Sequence, residues 1–197
     1  MKSFIIAAAL LASTASMAAR IQPKPLPVQA GEPKPDPEMS DEDVRSQMAA
    51  FLGTIDTPVP LSSWKSLGLR VEAPLLAIVR SADALPTRRA KAIDGLASIG
   101  TSHIDELRSI ANNEEEVYVV RFAAVSGLGA LLPENEMVSA LTPLLTSAKD
   151  ARVRSVAGLV MVSHSSATCP AVKAQIRSED ADTRGHFARA MDACFAK

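Results

Sequence analysis

Arg89-Ala90-Lys91-Ala92-Ile93-Asp94-Gly95-Leu96 has three counterparts further along the chain. They are Arg121-Phe122-Ala123-Ala124-Val125-Ser126-Gly127-Leu128, Arg154-Ser155-Val156-Ala157-Gly158-Leu159-Val160-Met161 and Arg184-Gly185-His186-Phe187-Ala188-Arg189-Ala190-Met191. The arginines lie 32, 33 and 30 residues apart. Each is followed by an apolar residue three positions on and a long aliphatic one seven positions on, the spacing of one face of an α-helix. An acidic residue stands ahead of each segment: Asp83, Glu116, Asp150 and Asp180. A helix recurring at this period means stacked helical hairpins, because one hairpin alone cannot bury its apolar face.

Outward from these segments, helices are predicted at about 72–80, 87–99, 102–111, 114–131, 136–147, 150–163, 169–178 and 181–195. Two more precede them, one starting after Ser40 and one from Ser62 to the stop at Gly68. Ser40, Thr87, Ser102, Asn113 and Asp150 are the expected N-caps, and Gly100 stands where a C-terminal glycine belongs. Helix 114–131 carries two apolar stripes, one through Val120, Ala124 and Leu128 and one through Tyr118, Phe122, Val125 and Gly129, so neighbours must cover it on several sides. The last helix is one-sided, with His186 and Arg189 on its polar face. Aromatic residues make up only 4% of the chain, so the core must be aliphatic, which suits closely packed helices.

These segments resemble the HEAT-repeat family. Val120-Arg121-x-x-Ala124 and Val153-Arg154-x-x-Ala157 match the second helix of that repeat, and Leu128-Gly129 matches its ending. Ala73-Pro74-Leu75-Leu76 and Thr142-Pro143-Leu144-Leu145 are similar to its proline-containing first helix. The resemblance covers roughly 70–195, and 40–69 by periodicity. It implies an all-α fold, a short HEAT-like helical-hairpin solenoid of about five helix pairs over 40–197. It also implies that the repeat arginines Arg89, Arg121, Arg154 and Arg184 tie to acidic residues of the repeat turns, Arg154 to Asp150 and Arg184 to Asp180. The other reading of these arginines is a ladder facing an acidic partner.

Residues 1–19 read as a signal peptide: Lys2, an apolar run over 4–12, then small residues with cleavage after Ala18 or Ala19. The run is too short to span a membrane, so no stable insertion is expected after cleavage. The expected location is the periplasm, with secretion as the second reading. Residues 20–39 hold six prolines, at 23, 25, 27, 33, 35 and 37, and are expected to form an extended linker.

Chemistry-bearing patterns are sparse, and no catalytic residues, cofactor or metal are expected. His103, His164 and His186 share no ligand spacing. Ser62-x-x-Lys65 lacks the companion motifs of a penicillin-binding nucleophile, and Gly127-Leu128-Gly129 lacks the third glycine of a nucleotide loop. A net charge of −1 argues against a nucleic-acid partner. Cys169 starts the first helix of the final pair and Cys194 ends the second. A hairpin brings those ends together, and an oxidising compartment would join them in a disulfide. The expected function is a non-enzymatic scaffold or adaptor with a protein partner in the bacterial envelope, within a secretion, motility or transport assembly. The second reading is a regulator or inhibitor of an exported enzyme. Enzymes of the HEAT-repeat lyase or glycosylase type rank below both, and the oligomeric state stays open.

Overall fold

The computed structural model describes residues 39–54 and 57–195, so the signal peptide and the proline-rich linker as far as residue 38 lie outside the described residues. The described elements are helical throughout. They are α1 (Asp41–Gly53), α2 (Leu61–Leu67), α3 (Glu72–Arg80), α4 (Pro86–Ile99), α5 (Ile104–Asn112), α6 (Tyr118–Leu131), α7 (Glu134–Ser147), α8 (Ala151–His164), α9 (Cys169–Ser178), α10 (Ala181–Arg184) and α11 (Ala188–Phe195). Three 3-10 turns, Gly68–Val71, Ser166–Thr168 and Gly185–Phe187, join them. The pairs α3/α4, α5/α6 and α7/α8 pack as hairpins, and α4, α6, α8 and α11 stack on one another in that order. The result is a short helical solenoid whose second helices form one layer and whose first helices, α3, α5, α7 and α9, form the other.

Local chemistry explains several helix ends. Ser40 Oγ accepts from the Asp43 N–H at 3.2 Å and donates to Asp43 Oδ2 at 2.6 Å, capping α1. Asp150 Oδ1 accepts from the Arg152 N–H at 2.9 Å and caps α8. Gly100 ends α4 with a φ of 79°, a left-handed position that favours glycine. Other starts differ from expectation. α4 begins at Pro86 instead of Thr87, since a first-turn proline gives up no needed donor. α5 begins at Ile104 after His103, not at Ser102. α6 begins only at Tyr118, because Asn113 Oδ1 accepts from the Glu115 N–H at 3.1 Å and holds the preceding residues in a turn.

The helix expected over 181–195 is interrupted. Gly185 is a weak helix former, and Phe187 is fully buried, so the chain tightens into the Gly185–Phe187 turn to seat that ring. Ser155 Oγ on α8 donates to the His186 carbonyl at 2.5 Å and holds the turn in place.

The core is aliphatic along its length, with Leu75, Ile93, Leu107, Leu128, Leu141 and Val172 sealed from solvent. Trp64 closes it near the α2 end and Phe187 near the other. A Cβ on Gly129 would collide with Val160, so glycine there sets how closely α6 approaches α8. A disulfide joins Cys169 to Cys194, with their Cα atoms 5.7 Å apart, tying the start of α9 to the end of α11. Among the described residues no helix is long and apolar enough to cross a membrane.

Candidate functional site

The repeat arginines act as staples. Arg89 Nε donates to the Val79 carbonyl at 2.9 Å, Arg121 Nε to Ala111 at 3.0 Å and Arg184 Nε to Glu179 at 2.9 Å. Arg154 does the same through Nη1, to Ala148 at 2.7 Å and Lys149 at 3.1 Å. Those carbonyls end α3, α5, α9 and α7, where helical partners run out and the helix dipole is negative. The remaining nitrogens bind carboxylates: Arg89 to Glu116 at 3.0 and 2.7 Å, Arg121 to Glu114 at 3.1 Å twice, Arg154 to Glu179 at 2.6 Å twice. Arg121 is only 2% exposed, so its fork is directed inward to the hairpin.

Two assignments are corrected. Arg154 pairs with Glu179, not Asp150, whose oxygens are taken by the Arg152 backbone and guanidinium, the latter at 3.1 and 2.7 Å. Arg184 makes no ion pair among the described residues, because Asp180 caps α10 through the Thr183 N–H at 2.8 Å and hydroxyl at 2.9 Å. Each of these aspartates is committed to groups at its own helix start, whereas Glu179, one residue before Asp180, has the reach to meet Arg154. The Arg154 guanidinium holds Glu179 below the ordinary glutamate range, and Gln175 assists.

On the face that α4 and α6 turn away from the first-helix layer lies a groove of about 620 Å³. α4 supplies Thr87, Lys91, Asp94 and Ser98, a row at helical spacing, and α6 supplies Phe122, Ser126 and Ala130. Trp64 of α2 and Val59 close one side. Lys91 Nζ donates to the Thr54 carbonyl and to Thr54 Oγ1. Asp94 keeps an exposed surface at the groove, while the groove walls take up part of the water around it. That partial loss of water pushes its carboxyl up to about 6, against the pull of the Lys91 ammonium.

A second cleft, of about 220 Å³, lies between α6, α8 and the last helix pair, and Phe122 lines both. Tyr118, Arg152, Ser155, His186 and Arg189 surround it. The Arg152 guanidinium sits 4.3 Å from the centre of the Tyr118 ring. The second stripe of α6 is therefore only partly covered: Val125 is buried, but Phe122 is 40% exposed. The sequence carried a signal for this groove in the polar row Thr87, Lys91, Asp94 and Ser98 at helical spacing. Among the described residues no three His, Cys, Asp or Glu side chains are grouped to hold a metal ion.

Residues 72–162 match the HEAT repeats family. The chain carries a HEAT-repeat domain. No curated protein matches the chain. The HEAT domain is similar to a chain in the solved structure of the complex of CpcE and CpcF of phycocyanin lyase from Nostoc sp. PCC7120. The identity is 23% and the TM-score 0.53, over 76% of this chain and 96% of that one. At that identity the likeness establishes the fold.

The likeness also corrects the functional expectation. The chain was expected to be a non-enzymatic envelope scaffold, or else a regulator of an exported enzyme, with lyases ranked below both. A solved structure of this HEAT architecture belongs to a lyase complex. The scaffold and regulator readings and the exclusion of an enzyme therefore fall. The net charge of −1 argues against a nucleic-acid partner, and that argument says nothing against a lyase.

Proposed function

We propose that this protein is a lyase-type HEAT-repeat protein that works with a second protein chain on an elongated, largely apolar small molecule held in the α4–α6 groove. The observation that carries the reading is the groove itself, apolar along Trp64, Val59 and Phe122, with Asp94 and Lys91 inside it. A lyase removes a group to leave a double bond, or adds one across it, and needs a residue that takes up and returns a proton. A carboxyl with a pKa raised to about 6 suits that task near neutral pH. Two further supports are the likeness to a complex of two lyase proteins and the tendency of HEAT solenoids to bind protein segments along their layers. We place the reaction outside the cytoplasm, as the leader suggests, and the Cys169–Cys194 disulfide favours an oxidising compartment.

Mass spectrometry tests the reaction class. Full-length protein is incubated with an extract of its own cells lacking this protein, which supplies both the second chain and the small molecules, and consumed and produced masses are matched. The expected result is a substrate whose mass equals the sum of two products, with turnover slowed at least about a hundredfold in Asp94→Asn, a loss typical of a general acid or base. Products summing to substrate plus one water would identify a hydrolase and overturn the reading, as would no consumption or unchanged turnover in Asp94→Asn.

A further inference from the structure

The two clefts meet at Phe122 but differ in charge. In the α4–α6 groove Lys91 is already engaged by Thr54 and stands beside Asp94, so the two charges offset each other. The other cleft gathers two guanidiniums and an imidazole, from Arg152 on α8 and from His186 and Arg189 at the last helix pair. Asp150 neutralises Arg152. Arg189 makes no ion pair or hydrogen bond among the described residues, and neither Asp182 nor Asp192 reaches it or His186. The cationic group is also held in place. Phe187 is buried beneath the turn, Ser155 fixes the His186 carbonyl, and the disulfide ties the end of α11 to α9.

Such an arrangement has a chemical complement. An uncompensated guanidinium beside an aromatic wall favours an oxyanion attached to an apolar body. The oxyanion meets charged donors, and the body covers exposed ring surface. We propose that the two clefts form one binding site for an amphipathic organic anion. Its apolar body lies along the α4–α6 groove past Phe122, and its carboxylate or sulfonate group sits at Arg189, with Arg152 and His186 beside it. The inference rests on the groove being the ligand site proposed above, and it adds the class of ligand and the end at which the charge is read. It also gives a direction to the site, since the charged end lies on the α8–α11 side and the Asp94 carboxyl faces the apolar body.

Two fluorescent probes with the same ring skeleton separate the parts. 1-Anilinonaphthalene-8-sulfonate carries the anion, and N-phenyl-1-naphthylamine lacks it. Titrated into the full-length protein at low salt, the sulfonate is expected to bind about tenfold more tightly, the scale of one charge-assisted contact. Arg189→Glu should erase that preference and leave the neutral probe within about twofold, because Arg189 is exposed and packs no core. Arg189→Lys should restore part of it, keeping the charge without the fork. Ala123→Trp, which fills the groove floor, should weaken both probes. Equal affinity of the two probes for the native protein, or an unchanged sulfonate affinity in Arg189→Glu, overturns the anionic end while leaving the groove as a ligand site. If neither probe binds, the groove reading fails and this inference fails with it.

Discussion

Asp94 shows how placement on a helix changes a residue's chemistry. Next to Lys91 on an isolated α4 it would be an ordinary solvated aspartate. With α6 and α2 packed alongside, its water is partly removed and its pKa moves from 3.8 to about 6. The folded state therefore holds that proton more tightly than the unfolded chain. The stability this group contributes is complete below the unfolded value and is lost as the pH rises through about 6. Asp94→Asn should consequently gain in urea midpoint relative to the native protein between about pH 4 and about pH 7. Parallel profiles would show that the carboxyl is as well hydrated folded as unfolded. Leu128 makes the opposite point, for its role follows from packing alone. It is 1% exposed at the centre of α6. Leu128→Ala is expected to cost ~2–5 kcal/mol by urea unfolding, and a loss under about 1 kcal/mol would contradict its central place.

At the scale of the element, the hairpin is the unit, and the arginine of its second helix closes the end of its first. Arg154 is the strongest case, since its fork meets Glu179 twice at 2.6 Å while Nη1 takes the carbonyls at the end of α7. Glu179 is 8% exposed and belongs to the next turn, so the pair links two repeats. Removing one partner strands the other charge in a poorly hydrated place. Arg154→Ala should cost ~3 kcal/mol, and replacing both partners with Met and Leu should recover much of that loss. A calorimetric scan of the three variants checks it: if the double variant is as unstable as the single one, the cost lies in the carbonyl contacts and not in the stranded Glu179. Because Glu179 is held below its ordinary range, its share of stability is present above the unfolded pKa and is lost on acidification. Arg154→Ala should therefore be less sensitive to acid than the native protein.

Across the whole molecule, the last repeat has a neighbour on one side only and is where a solenoid frays. The Cys169–Cys194 disulfide closes a 25-residue span over that repeat. The chain-entropy account gives ~3.5 kcal/mol for such a closure. Reduction, or the Cys169→Ser/Cys194→Ser double change, should lower stability by up to about that much and raise amide exchange first in α9 to α11. Non-reducing peptide mapping of protein from its native compartment should find the two cysteine peptides linked, and free alkylation of both thiols would count against the bridge. The proposed ligand anion is held by residues of that same repeat, His186 and Arg189. Loosening it by reduction should also weaken binding of the sulfonate probe more than the neutral one.

The sequence alone determined the layers and the stacking. Arginines at a period in the low thirties, each heading an apolar helical face, leave few alternatives to stacked hairpins, because each face must be buried against the next unit. It also determined the N-caps at Ser40 and Asp150 and the glycine stop at Gly100, since those depend on groups a few residues apart. Only the tertiary structure decided which carboxylate each arginine meets, because Glu116 and Glu179 lie 27 and 25 residues from their partners and reach them by the repeat's geometry. The break before α11 likewise follows from the seat that the core offers Phe187. The groove belongs to the same class. Phe122 reads as one more apolar position on α6, and its exposure arises because α4 and α8 flank α6 without covering that side. Contacts within a few residues are written in the chain, whereas a cleft depends on how far apart whole helices come to rest.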